Sequence, residues 1–221
     1  MLTYLGFVGP GFLVYILIVA YPIFYSVALS FSNYNPNMGN AWGFIGGSQY
    51  VKMVSDPDFW HAFVNNMIVV AVSIFGQIPI GFILAFILYR RQVKGATFFQ
   101  SMVFLPQFLS TIVIGIMWKT LFKADGPVSR LLQIISDDPT RQFTMMLEKN
   151  TVMIPIGIAL IWMYTGFYMI IFLANLQKIN DSLIEAAKID GASEFQIFCR
   201  IIVPLLSGTI LVSSILAIAC S

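Results

Sequence analysis

Charge is what this 221-residue sequence has least of. Charged residues make up 10% of it and hydrophobic residues 58%, against about 25% charged in an ordinary soluble domain. A soluble domain of this length would need a far more polar surface to stay dissolved. The formal net charge is only +2, so no basic field points to nucleic acid. Cysteine is scarce as well. Cys199 and Cys220 are the only two, and their spacing supports neither a metal site nor a disulfide framework. The single histidine, His61, sits at the edge of an apolar run and reads as a packing or interface residue. The phosphate-cradling pattern G-x-x-x-x-G-K-S/T is missing, so the chain itself should not hydrolyse ATP. H-E-x-x-H and G-x-S-x-G are missing too, and no acid, base or metal-ligand cluster lies near an apolar run. No catalytic residue, metal ligand or bound cofactor is therefore expected.

What is present is a set of long intervals free of charge. None precedes Lys52, and others run from Asp58 to Arg90, Lys94 to Lys119, Lys149 to Lys178 and Arg200 to Ser221. A bilayer core of about 30 Å needs about 20 apolar residues as helix. The second half of the first interval, Ser32 to Gln49, is rich in Asn, Gly, Pro and Ser and reads as loop. Five spans follow, near Leu5–Phe31, Phe63–Tyr89, Thr97–Leu121, Thr151–Leu176 and Ile202–Ser221. The fold class is thus all-α, a polytopic transmembrane helical bundle, with residues 1–221 forming one membrane domain. The runs lack the alternation of barrel strands. The first run has no basic leader and is too long for a signal-peptide core, so it is read as a retained span. The sequence begins and ends in apolar runs, and the intact protein is expected to continue past Ser221.

Arg90, Arg91 and Lys94 crowd one short loop, which the positive-inside rule places in the cytoplasm. Alternation puts Ser32–His61 and Phe122–Asn150 outside and Gln177–Ile201 inside. The cations then divide equally between the two sides, so charge supports this orientation weakly. On the outer side, Asp125–Ser136 reads as a short helix with Asp125 as its cap and Pro127 in its first turn.

The inner segment Asp181–Leu205 differs from every other loop. It holds two capping boxes, Ser182-x-x-Glu185 and Ser193-x-x-Gln196, with Gly191 between them where a helix can end in a left-handed residue. A short helix, a glycine break and a second short helix follow. On physics alone this is equally an ordinary link between two spans. Yet Glu185-Ala186-Ala187, Asp190-Gly191-Ala192, Phe198, Ile201 and Pro204-Leu205 resemble the EAA motif of ABC-importer permeases, with Val203 in place of the usual Leu. Ala20-Tyr21-Pro22-Ile23, Phe104-Leu105-Pro106 and Gly166-Phe167 extend the resemblance to the carbohydrate branch of that family, the maltose and glycerol-phosphate type.

The resemblance implies a type I ABC-importer permease fold with about six core spans, five of them here. It implies a cytoplasmic coupling loop at about 178–201, carried by Glu185, Ala186, Ala187, Asp190, Gly191, Ala192, Phe198 and Pro204. It also implies partners: a dimer of ATP-binding subunits that holds ATP and magnesium, a second permease subunit, and an extracytoplasmic solute-binding protein. The location would be the inner membrane of a prokaryote, in contact with lipid. Sugars are held by hydrogen bonds and aromatic faces, so Trp162, Tyr164, Tyr168 and Gln107 are candidates for the solute path. Polar residues in spans also join helices to one another, and that alternative stays open. A secondary transporter or a channel subunit is the rival function. The absence of charge within the runs argues against an ion-coupled path.

Overall fold

The computed structural model describes residues 2–34, 43–90, 95–136 and 151–220. Arg91, Lys94, Arg141 and Lys149, which entered the charge argument, lie outside the described residues. The chain divides into two compact units, Met1–Phe63 and Val64–Ser221.

In the first unit, α1 (Leu2–Tyr15), a π-helical turn (Ile16–Ala20) and α2 (Tyr21–Ser30) form one long apolar helix. Its stretch Gly6–Ser30 is apolar and long enough to cross a membrane. Among the described residues, Ser32 and Phe44 form an antiparallel bridge. α3 (Ser48–Ser55) begins where the expected loop ends. It is tied back by a 2.7 Å hydrogen bond between the Ser30 and Tyr50 hydroxyls and by the Phe31 and Tyr50 rings, 5.5 Å apart.

α4 (Pro57–Val72), the π-helical turn Ser73–Gln77 and α5 (Ile78–Tyr89) are continuous over 33 residues. Then come α6 (Ala96–Phe104), a 3-10 turn (Leu105–Phe108) and α7 (Thr111–Leu121). The expected span Thr97–Leu121 is a pair of helices bent by 98° just past Pro106. Leu109 and Ser110 are both extended, with ψ of 144° and 132°, which ends the hydrogen-bond ladder. α9 (Met153–Leu176) is a straight candidate span. The last span is bent too, by 65° between Glu194–Leu205 and Ser207–Cys220. Among the described residues there are thus three unbroken candidate spans, or five if each bent pair is one crossing.

The outer helix is α8 (Pro127–Ser136). Asp125 does not cap it. Its carboxylate pairs with Lys123 at 3.1 Å, and that ammonium holds the carboxyl below its ordinary range. Gly126 takes the place before the helix, its carbonyl accepting from Arg130 N–H at 3.1 Å. The Asp125 cap is therefore corrected to a neighbouring ion pair.

Three of the prolines inside spans share a setting that their positions alone do not reveal, unlike Pro10 and Pro155. Pro22, Pro79 and Pro204 each sit two residues past a π-helical turn, namely Ile16–Ala20, Ser73–Gln77 and Phe198–Ile202. Proline offers no N–H, and its ring collides with the carbonyl four residues back. A turn wound one residue wider moves that carbonyl aside. Pro79 consequently rides inside a continuous helix rather than kinking it.

The two central helices of the second unit meet along glycines. A Cβ on Gly81 would fall 2.9 Å from the Met169 nitrogen and the Tyr168 Cβ. On Gly76 it would fall 2.8 Å from Ile161, and on Gly157 3.3 Å from Val72. Small residues let membrane helices approach backbone to backbone, where no water drives association. The matched positions rise together, from Val72 with Gly157 to Phe82 with Phe172. The two helices are therefore parallel, and the loops that follow them leave at the same end. That agrees with placing the Arg90 loop and the Gln177–Ile201 loop on one side.

Candidate functional site: the loop Lys178–Ile202

Asn180 caps the first helix of this loop. Its Oδ1 accepts from Ser182 N–H at 3.1 Å, and α10 runs Asp181–Ile189. The first expected capping box, on Ser182, does not form, because the helix starts two residues earlier. Asp181 then lies in the first turn, where the free N–H groups favour a negative charge.

The end of α10 explains the spacing of the motif. Ala192 N–H donates to the Ala187 carbonyl at 2.9 Å, and Gly191 N–H to the Lys188 carbonyl at 3.0 Å. These two bonds define the Schellman closure, in which the residue past the cap is left-handed. Gly191 is that residue, with φ of +79°. A glycine four positions after Ala187 is thus what this closure demands. Ala187 and Ala192 both pack against the core, the apolar contact that accompanies the closure.

One residue later α11 (Glu194–Ile197) begins with the expected box. Ser193 Oγ accepts from Gln196 N–H at 3.3 Å, and Gln196 Oε1 accepts from Ser193 N–H at 2.8 Å. The π turn and α12 (Val203–Leu205) carry the chain through Pro204 into α13 (Ser207–Cys220).

The loop has two unlike faces. Ile184, Ile197 and Ile202 are buried on the inner one. Phe198 lies 5.1 Å from the Phe82 ring and 4.9 Å from Phe86, and Phe82 lies 4.8 Å from Phe172. Tyr89 donates its hydroxyl to Asp181 Oδ1 at 3.0 Å. Arg90 pairs with Glu194, and Lys188 reaches the same Glu194 oxygen at 3.6 Å. The outer face is bare: Glu185, Ala186, Asp190 and Gly191 are exposed, while Ile189 and Phe195 expose 86% and 75% of their surface. A cavity of about 660 Å³ opens beside the loop, with Arg90, Gln100, Asp181, Glu185 and Lys188 in its wall.

The solute-path candidates are not gathered in one place. Tyr168 is buried against Gly81 in the helix seam. Trp162 is exposed and sits 6.0 Å from Trp118. Tyr164 packs beside the core. Gln107 has a buried Oε1 without a hydrogen-bond partner among the described residues. None of the four lines the 660 Å³ cavity or the smaller apolar one, 220 Å³, between α7 and α9.

Sequence reasoning missed Glu194 and Arg90 as partners, because 104 residues separate them and neither carries a motif. It also passed over Ser213, which is fully buried with its hydroxyl unpartnered among the described residues. A serine amid an apolar run was the available signal.

Comparison with known proteins places this geometry. A family model described as binding-protein-dependent transport system inner membrane component matches residues 77–221. The lactose transport system permease protein LacF of Rhizobium radiobacter is 33% identical over 95% of this chain and 69% of its own length. The alpha-glucoside transport system permease protein AglF of Rhizobium meliloti is 30% identical over 93% of this chain and 60% of its own. The chain therefore spans roughly two-thirds of the length of such relatives. A crystal structure of a bacterial ABC transporter that imports the acidic polysaccharide alginate shares the fold. Its TM-score is 0.79 at 23% identity, covering 98% of this chain and 71% of the other.

Proposed function

The chain belongs to the family of binding-protein-dependent transport system inner membrane components, and from that premise we propose that it is a permease subunit of an ABC importer for a carbohydrate or related polyol. It is a multi-pass inner-membrane chain. The sugar class is supported by the relatives, which include lactose and alpha-glucoside permeases.

One observation carries the coupling role. The loop Lys178–Ile202 is fastened on its inner face and bare on its outer face. A partner that grips Glu185, Ala186, Ile189, Asp190 and Phe195 can thus push on helices that pack beneath the loop. The partner is an ATP-binding subunit, one of two, which holds ATP and magnesium. Exposed charges such as Glu185 and Asp190 steer orientation and association rate more than affinity. Gly191 sets the angle between the two loop helices, and Ala192, Phe198 and Pro204 set how the second joins the last span. A second permease subunit completes the path, and a solute-binding protein delivers the solute from outside. Trp162, Tyr164, Tyr168 and Gln107 are its candidate contacts here.

The test is reconstitution of the full-length protein with its ATP-binding subunits, second permease and binding protein in proteoliposomes. The expected result is solute uptake that requires ATP and a solute-loaded binding protein. Uptake driven by a proton gradient without ATP would make it a secondary transporter. Passive flux alone would make it a channel.

A further inference from the structure

The coupling loop is joined by the chain at its two ends, to α9 before it and to α12 and α13 after it. The structure adds a third attachment, to the end of α5, that no motif announces. It has three parts. The Arg90 guanidinium pairs with Glu194. The Tyr89 hydroxyl donates to Asp181. Phe198 lies against Phe82 and Phe86, two rings one helical turn apart on α5.

These contacts fall where they control both loop helices. Asp181 is the first residue of α10, and Glu194 is the first residue of α11. Glu194 also faces Lys188, in the last turn of α10, at 3.6 Å. One carboxylate therefore touches α5, α10 and α11 together. The Arg90 side chain is only 13% exposed, whereas Glu194 is 52% exposed. A guanidinium keeps its charge at any physiological pH, and a covered one left without its carboxylate is destabilising.

Resting on the coupling reading above, we propose that Glu194 and Arg90 form a latch that makes the coupling loop and α5 one moving body. Glu194 and Arg90 are positioning residues. They touch neither solute nor nucleotide, and they act through the helix that the loop displaces. Displacement at the loop then enters the bundle through α5 and its glycine seam with α9, as well as through the covalent links.

The experiment uses the full reconstituted complex and measures solute transported per ATP hydrolysed. Arg90→Glu and Glu194→Arg each reverse one charge, and the double variant restores opposite charges in exchanged places. The expected result is a fall of tenfold or more in that ratio for each single variant, with ATPase activity persisting. The double variant should recover to within about twofold of the parent. Single variants with the parent's ratio would overturn the latch. So would a double variant no better than either single.

A second measurement stands apart from charge reversal. In a background with Cys199 and Cys220 replaced by serine, Arg90→Cys and Glu194→Cys are joined by a short bifunctional thiol reagent. Joining should raise the lowered ratio of the unjoined variant toward the parent's, and a ratio that stays low or falls further on joining overturns one moving body. A parent complex without ATP-dependent uptake would instead count against the coupling reading itself.

Discussion

Gly191 meets nothing within 4 Å of where its Cβ would stand, so the volume of a substituent is not what the position resists. Its φ of +79° is the constraint. A left-handed residue with a Cβ costs about 1–2 kcal/mol, and asparagine tolerates that region best among the others. Gly191→Ala should therefore lower coupled uptake as far as Gly191→Leu does, and Gly191→Asn less. ATP-dependent uptake by the three complexes checks the order. A graded loss with side-chain size would show that an ATPase surface, not the turn, sets the limit. The seam glycines behave oppositely. On Gly166 a Cβ would collide with the Val103 carbonyl oxygen and lie 2.8 Å from the Phe104 Cα. There close approach of backbone, rather than a dihedral angle, requires the glycine.

At the scale of the element, α10 is held at its start by Asn180 and at its end by the closure at Gly191. Three residues of cap-forming type stand in a row in the sequence, Asn180, Asp181 and Ser182. Asparagine, aspartate and serine are nearly equal as caps, so propensity does not choose among them. The structure chooses Asn180, which leaves Asp181 free to receive the Tyr89 hydroxyl. Losing an N-cap costs about 1 kcal/mol. Asn180→Ala should therefore speed amide exchange across α10 roughly fivefold, while Ser182→Ala leaves it near the parent rate. Equal effects from both would place the cap elsewhere. The bends at Leu109–Ser110 and at Leu206 belong to this scale as well. The apolar runs there are as long as those of straight spans, and hydropathy counts length without direction. Pro106 and Pro204 marked the neighbourhood, but proline marks a helix start, a kink or a π turn with the same letter.

Over the whole molecule, sidedness is the property that composition leaves nearly undetermined, since the cations divide equally. The parallel course of the Pro57–Tyr89 helix and α9 ties the Arg90 end and the loop Lys178–Ile202 to one side. Alternation of spans expects α8, which follows α7, on the other side. Ile189 is 86% exposed on the loop and Ile134 is 76% exposed on α8. In a background without Cys199 and Cys220, Ile189→Cys should react with a membrane-impermeant thiol reagent only in inside-out vesicles. Ile134→Cys should react only in intact cells or right-side-out vesicles. Reaction of both from the same side would contradict the topology.

The sequence alone determined the membrane class, the approximate position of the apolar runs, the second capping box and the glycine spacing of the loop Lys178–Ile202. These rest on local signals: a charge-free interval, a serine three residues before a glutamine, a glycine four residues after an alanine. Tertiary structure decided what local signals do not carry. It decided which glycines face a neighbour, which prolines bend a helix, and that Arg90 reaches Glu194 across 104 residues. An ion pair between distant residues leaves no periodicity in the chain, because its geometry exists only once two helix ends have been brought together.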